Sequence, residues 1–124
     1  YVIVRKAGMK IGIIGLLTDI SSVVDQKLLG NLVYQDPADV VNRYAQYLKN
    51  EKGCDMVFCL SHLGFSEDKE LASQIRNVDV IVGGHSHTQL DDLQRVTDLD
   101  GKDVIIVQDW CWGMAVGNLK VTWE

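Results

Sequence analysis

Hydrophobic residues in this chain fall into short runs separated by polar segments, and the period of each run predicts its structure. Most of the runs are rich in β-branched residues and are four to nine residues long, as strands are. Two of them flank Arg5–Gly8, which predicts a tight turn between the first two strands. Continuous apolar runs such as 55–60 and 78–82 are typical of buried parallel strands. Six runs predict β-strands, at residues 1–4, 9–14, 55–60, 78–82, 104–107 and 115–123.

A 3.6-residue period follows the dipeptide Asp36-Pro37 and predicts a helix. Asp36 is a suitable N-cap and Pro37 fits the first helical position, while Gly53 is expected to end the helix. One apolar stripe is formed by Val41, Tyr44, Ala45 and Leu48.

A second helix is predicted between the strands at 55–60 and 78–82. Ser66 is its expected N-cap, with Glu67 and Asp68 in the first turn. The residues expected to face inward are Leu71, Ala72 and Ile75. Residues 15–31 have no clean period and predict a long surface connection, and residues 98–101 within the polar segment 90–102 predict a turn.

Strands that alternate with helices predict an α/β fold with a mixed, partly parallel sheet. The 124 residues suffice for one domain, and 47% hydrophobic with 23% charged residues is ordinary for a globular protein. The net charge of −5 and the absence of a basic patch argue against a nucleic acid polymer as partner. No apolar stretch approaches the roughly 20 residues of a membrane span.

All three histidines lie in two motifs, Ser61–Gly64 and 83–88, each directly after an apolar run. The strand–helix–strand unit that contains them should be right-handed, so its two strands run parallel and are expected to be neighbours. His62, His85 and His87 would then meet at the carboxyl edge of the sheet, where α/β proteins bind ligands. Neutral imidazoles suit zinc, manganese, iron or nickel, although a histidine after a strand is often only a hydrogen-bonded loop residue.

Two features of the second motif bear on that site. Gly83 and Gly84 allow a sharp turn and a close approach of the backbone to an ion or a phosphate. His85 and His87 would point to opposite sides in extended backbone, whereas in a loop they could straddle two neighbouring ions.

These motifs resemble a known family. The strings Ser-His-Leu-Gly at 61–64 and Val-Asp-Val-Ile-Val-Gly-Gly-His-Ser-His-Thr at 78–88, with Asp68 and Leu71-Ala72 between them, look like the second half of a calcineurin-like metallophosphoesterase domain. The branch they resemble is the bacterial 5′-nucleotidase and 2′,3′-cyclic phosphodiesterase group. The resemblance extends from residues 12–16 to 107–108 and 117–119, which is nearly the whole chain.

The resemblance implies half of a four-layer α-β-β-α sandwich and a dinuclear centre of divalent metal ions, zinc, manganese or similar. Carried over by position, His62 and His85 would bind one metal and His87 the other. Two ions about 3.5–4 Å apart would clamp a phosphate and activate a water. The implied substrate is a nucleotide or another phosphate ester, and the implied location is extracytoplasmic, periplasmic or secreted.

The motifs of the family's first half, Asp-x-His, Gly-Asp and Gly-Asn-His-Asp/Glu, do not occur in this sequence. We therefore interpret residues 1–124 as the C-terminal part of a single metallophosphoesterase domain. No catalytic residue is assignable, since the general acid of the family is a histidine of the first half. Three neutral imidazoles cannot offset the repulsion between two divalent ions, so we expect at most one weakly held ion and little turnover from this chain alone.

Three further candidate residues, Asp109, Trp110 and Trp112, follow the strand at 104–107. Asp109 is a weak candidate for a replacement metal ligand, where the family has a small residue, and a solvated turn residue is the simpler interpretation. Trp110 and Trp112 could stack on a base, but packing over the sheet is the more ordinary role.

A different class of function also fits the sequence. The chain could be a non-catalytic α/β module that binds a metal or a phosphate, or a half-domain that must pair with another chain. Because an exposed sheet edge invites pairing, a homodimer through that edge is predicted.

Overall fold

The computed structural model describes residues 1–122, which form one six-stranded mixed sheet with helices packed against it. The elements in chain order are β1 (Val2–Lys6), β2 (Met9–Leu17), α1 (Gln26–Leu29), α2 (Pro37–Asn50), β3 (Met56–His62), α3 (Phe65–Ser73), β4 (Val80–Val82), β5 (Gln94–Thr97) and β6 (Asp103–Val107). The spatial order is β1-β2-β3-β4-β6-β5. The four inner strands are parallel, and the edge strands β1 and β5 are antiparallel to their neighbours. The predicted α/β class with a mixed sheet is confirmed.

The hairpin at the start is confirmed. Strands β1 and β2 pair from Val2 with Ile13 to Lys6 with Met9, so only two residues form the turn. Ala7 and Gly8 both have positive φ, 51° and 82°. Positive φ at both central residues matches the right-handed twist of the two strands.

Helix α2 begins as predicted. The Asp36 side chain accepts a hydrogen bond from the Asp39 amide at 3.1 Å, and Pro37 occupies the first turn. The helix ends at Asn50, three residues before the expected terminator, and Gly53 takes a positive φ of 62° in the loop that follows.

Two predicted boundaries are wrong, and the cause in each case is a tertiary partner. The segment 15–31 is not all loop, because strand β2 continues to Leu17, which pairs with His62 at the end of β3, and the short helix α1 forms at Gln26–Leu29. Ser66 is not the N-cap of α3, because the helix begins two residues earlier than predicted, at Phe65, with Gly64 as N-cap and no side-chain cap. The Phe65 amide instead donates to the Ser86 hydroxyl, so a distant loop satisfies the helix end.

The C-terminal third also departs from the prediction. Strand β5 forms within the polar segment 90–102, where no strand was expected, whereas the turn at 98–101 is confirmed by two bonds from backbone amides to the Asp98 carboxylate. The predicted strand at 115–123 is wrong for residues 115–122, and Trp123 lies outside the described residues. Strand β5 already occupies the free side of β6, so the segment that follows β6 cannot pair with that strand.

The core lies on one face of the sheet. The strand residues Ile14, Cys59, Ile81 and Ile106 lie in register across four strands and pack in one cluster with α2 and α3. Burial also raises the pKa of the Cys59 thiol to about 12, so this cysteine is an inert core residue.

Among the described residues, α2 and α3 pack on the core face and not on the opposite one. On that opposite face Leu60, Val82 and Val107 lie in register beside Phe58, Leu60 is 58% exposed, and residues 117–121 border part of the surface. We call this surface the open face. A sheet with helices on one side and apolar residues on the other is what half of a sandwich presents.

No helix within residues 1–122 has the length and apolar character needed to cross a membrane.

Candidate metal and phosphate site

Two of the three predicted metal ligands lie together at the carboxyl edge of the sheet. His62 is the last residue of β3, and His85 follows the end of the adjacent parallel strand β4 by three residues. Their ring centroids are 5.0 Å apart and the rings meet edge to face at 68°. Both side chains are exposed, so their nitrogens are accessible to a ligand.

The loop of residues 83–88, which we call the histidine loop, has an unusual backbone. The positive φ angles fall not on its glycines but on His85 (71°) and His87 (53°). The Ser86 amide donates to the Gly84 carbonyl at 2.9 Å, so His85 is the central residue of a γ-turn with positive φ. This conformation is rare, and each such residue adds about 1–3 kcal/mol of strain that the surroundings must offset.

The two glycines serve close packing instead. A Cβ at Gly84 would lie 3.3 Å from Nδ1 of His62 and 3.4 Å from the Ser61 carbonyl oxygen. A Cβ at Gly83 would lie 2.5 Å from Oδ2 of Asp68, closer than side chains tolerate. The glycines therefore let the histidine loop press against the end of β3 and the start of α3.

A buried side chain from a third strand secures the loop. Gln108 follows β6 directly and is 2% exposed. Its Nε2 donates to the Gly84 carbonyl at 2.6 Å, and its Oε1 accepts from the Thr88 amide at 2.7 Å and the Ser86 hydroxyl at 3.0 Å. The histidine loop is thus bonded through residues 84, 86 and 88, and the two histidines lie between the bonded positions.

A second buried polar pair lies beneath the same loop. The Ser61 hydroxyl donates to Oδ1 of Asp68 at 2.5 Å and accepts from the Leu63 amide at 3.2 Å. Asp68 is fully buried, and its Oδ2 has no hydrogen-bond partner within the described part of the chain. Burial raises the pKa of Asp68, and the Ser61 hydrogen bond opposes that rise in part.

The remaining candidates lie apart from the histidine pair. The His87 ring packs against Trp112 with centroids 5.4 Å apart, and within residues 1–122 it does not form a three-residue metal-binding group with His62 and His85. The Asp109 carboxylate packs against Gly117, and its backbone forms an isolated bridge with Gln89. Trp112 is 83% exposed, so the prediction that it packs over the sheet is wrong; its ring contacts the His87 ring of the histidine loop instead.

The donor set fits part of a metal site. Two accessible imidazoles suit an ion such as zinc, which usually has three or four protein ligands. Within residues 1–122, no three His, Cys, Asp or Glu side chains gather closely enough to hold an ion. The chain therefore offers a two-nitrogen partial site at His62 and His85, with His87 separate from it.

Sequence reasoning gave no role to the two side chains that organise this site, Gln108 and Asp68. A signal was present for each. Asp68 lies on the same helical stripe as Leu71, Ala72 and Ile75, so a carboxylate occupies an apolar face. Gln108 is the first polar residue after a buried strand, at the same edge as the histidines.

The raised pKa of Asp68 predicts a pH-dependent contribution to stability. Because the folded-state pKa is above 3.8, the unfolded state releases this proton first, and stability falls as the pH rises from about 3.8 through the folded-state pKa. The Asp68→Asn variant lacks this pH-dependent contribution to stability, because its side chain does not titrate. We expect urea unfolding to show that the free energy of unfolding of the wild type, minus that of Asp68→Asn, decreases as the pH is raised from 3.5 to 7.5. The other carboxylates are common to both proteins, so a difference that stays constant or increases over this range would contradict the assignment.

No model of a known protein family matches the sequence, but individual proteins do. The chain is 33% identical over 129 residues to Protein 5NUC of Lutzomyia longipalpis, covering 94% of the chain and 22% of that protein. It is 30% identical over 142 residues to snake venom 5′-nucleotidase of Naja atra, covering 100% of the chain and 26% of that protein.

A solved structure is also similar to the chain, in fold as well as in sequence. The 5′-nucleotidase precursor from Thermus thermophilus superposes with a TM-score of 0.82 and 36% identity, over 91% of the chain and 24% of that structure. The resemblance to 5′-nucleotidases, of the metallophosphoesterase type, is therefore confirmed over nearly the whole chain. The chain spans about a quarter of the length of the proteins it matches.

Proposed function

We propose that this chain is the C-terminal part, residues 1–124, of a metal-dependent phosphoesterase domain that hydrolyses phosphate esters, nucleotides in particular. The observation that carries the proposal is the pair of accessible imidazoles, His62 and His85, 5.0 Å apart at the carboxyl edge of two parallel strands. This edge is where α/β folds bind ligands. The similarity to a 5′-nucleotidase precursor supports the reaction class.

In this proposal His62 and His85 hold one divalent ion, and His87 holds a second. The separation of the rings in the structure agrees with such a division, because His87 contacts Trp112 rather than the other two histidines. The bound ions, zinc, manganese or similar, would polarise the phosphorus–oxygen bond and activate a water. A backbone contact of Gly83 and Gly84 with the bound phosphate is part of this proposal; the side of each residue where a Cβ would lie is already filled, by Asp68 and His62. We assign no catalytic acid or base to this chain.

The rest of the site would come from a preceding part of the same domain. Two divalent ions repel each other strongly at close range, and a neutral imidazole does nothing to offset this. A carboxylate that bridges the ions would, and the described part of the chain brings none to the histidine pair. The apolar open face supports the proposal independently, because a second sheet packed against it would complete a sandwich.

The substrate class and the location of the complete protein follow by similarity. A nucleotide fits the matched 5′-nucleotidases. One of them is named for snake venom and another is a precursor, which supports a location outside the cytoplasm.

Metal content and turnover test the proposal directly. We expect the isolated chain to bind zero or one Mn²⁺ or Zn²⁺ by calorimetry, and not to hydrolyse bis-p-nitrophenyl phosphate. The same chain, joined to the residues encoded before Tyr1, should bind two ions and turn over. Two ions and turnover from the isolated chain would refute the half-site proposal, and no turnover from the extended chain would refute the hydrolase proposal.

The open face and the free edges favour one alternative, a half-domain that pairs with a second copy of itself. Val2 and Val4 on the edge strand β1 are exposed, and they are continuous with the open face through β2. Unpaired edges of this kind recruit other strands. Light scattering distinguishes the two: a stable dimer without turnover supports a pairing or binding module, and a monomer supports the catalytic half-domain.

A further inference from the structure

The strained conformation of the histidine loop is the feature that the proposed function leaves unexplained. His85 occupies a γ-turn with φ of 71°, and His87 has φ of 53°, although neither is glycine. A loop free to relax would leave these conformations, because L-residues avoid positive φ. Something outside the loop must hold it.

Gln108 has the contacts to do so. Its three hydrogen bonds reach the Gly84 carbonyl, the Ser86 hydroxyl and the Thr88 amide, every second residue of the loop. The Gly84 carbonyl that accepts from Gln108 is also the acceptor that closes the γ-turn around His85. Gln108 bonds residues 84, 86 and 88, so His85 and His87 lie between the bonded positions and make no hydrogen bond to Gln108.

A further bond fixes the distance between the two motifs. The Ser86 hydroxyl accepts from the Phe65 amide at 3.0 Å, at the start of α3 and three residues after His62. The Gln108 amide therefore acts on His62 as well as on His85, through Ser86. The side chain is neutral and buried, so this connection does not depend on pH.

We propose that Gln108 is the positioning residue of the site: it holds the γ-turn at His85 and thereby sets the His62–His85 pair in its metal-binding geometry. It touches neither imidazole and acts through the loop backbone, as outer-shell partners of metal ligands do. The expected effect of Gln108 on metal binding rests on the proposed function, whereas its effect on the geometry of the His62 and His85 rings does not.

The test compares two matched variants. Gln108→Met keeps the length of the side chain and removes all three hydrogen bonds. Gln94→Met makes the same change at an exposed glutamine of the neighbouring strand β5. Both are examined by NMR for nuclear Overhauser contacts between the His62 and His85 ring protons, for amide exchange in the sheet, and for Co²⁺ affinity.

We expect Gln108→Met to lose the ring-to-ring contacts while the amides of β3 and β4 remain protected, and to bind Co²⁺ about 10- to 100-fold more weakly. Gln94→Met should match the wild type in all three measurements. Ring contacts that persist in a folded Gln108→Met, or an equal loss in Gln94→Met, would overturn the proposal.

Two outcomes need separate treatment. If Gln108→Met does not fold, Gln108→Asn decides, since the shorter amide stays neutral and polar but cannot reach the Gly84, Ser86 and Thr88 partners together; unchanged ring contacts in Gln108→Asn would refute the proposal. If the wild type shows the ring contacts but binds no Co²⁺, the proposed function fails while the positioning role of Gln108 stands or falls on the ring contacts alone.

Discussion

Replacing either His62 or His85 by alanine is expected to abolish detectable Co²⁺ or Zn²⁺ binding by this chain. The two rings lie side by side at the sheet edge, with centroids 5.0 Å apart, and a site with two ligands cannot lose one and keep its affinity. The loss should exceed the roughly 10- to 100-fold change that follows when an outer-shell partner is removed. Calorimetric titration at pH 7.5 measures the effect. In a complete domain the same variants should lose phosphatase activity to a similar degree.

His87→Ala is the matched control. Its ring packs against Trp112, so any ion that the isolated chain binds should bind to the variant almost as it binds to the wild type. In a complete domain, by contrast, His87→Ala should remove one of two ions. If His87→Ala weakens metal binding by the isolated chain as much as His85→Ala does, all three imidazoles share one ion. The proposed division of the ligands between two ions would then be incorrect.

Ile81→Ala is expected to destabilise the fold by about 2–5 kcal/mol, the usual range for a large aliphatic residue truncated in a core. Ile81 is fully buried in the central strand β4, between β3 and β6. It packs in the cluster beneath the two helices, where rigid neighbours cannot collapse into the cavity. Urea unfolding followed by circular dichroism gives the free energy of unfolding of both proteins.

Leu60→Ala makes a comparable truncation on the open face of the adjacent strand β3. Because Leu60 is 58% exposed, we expect a loss below about 1 kcal/mol in this chain. In a complete domain, where a second sheet is proposed to cover this face, the same substitution should approach the cost of Ile81→Ala. Equal costs in the isolated chain would mean that the open face is already covered, by the chain itself or by a second copy.

The elements that were predicted correctly are those whose signals are local. Asp36-Pro37 and the following stripe predicted the start and the buried face of α2, and the apolar runs at 55–60 and 78–82 predicted neighbouring parallel strands. Apart from the short helix α1, which Asp25 caps locally, the errors named here concern residues whose state depends on a distant partner. Strand β2 continues to Leu17 because β3 runs beside it, and α3 starts at Phe65 because Ser86 accepts its amide.

The same distinction between local signals and distant partners applies to the candidate site. The sequence placed three histidines at one edge of the sheet, because strand direction and crossover handedness follow from chain order. It did not indicate that His62 and His85 would meet while His87 turned to Trp112. It also gave Gln108 and Asp68 no role, because their partners are 7 to 24 residues away along the chain.

The sequence by itself therefore determined the α/β class and the parallel pairing of the strands that carry the histidines. Its motifs also indicated the similarity to 5′-nucleotidases. These properties depend on hydrophobic period, chain direction and short strings of residues, all of which are local. Only the tertiary structure decided which imidazoles pair, which face of the sheet is left open, and which buried side chain holds the strained loop. Those outcomes depend on hydrogen bonds and packing between segments far apart in the chain, whose geometry no local pattern specifies.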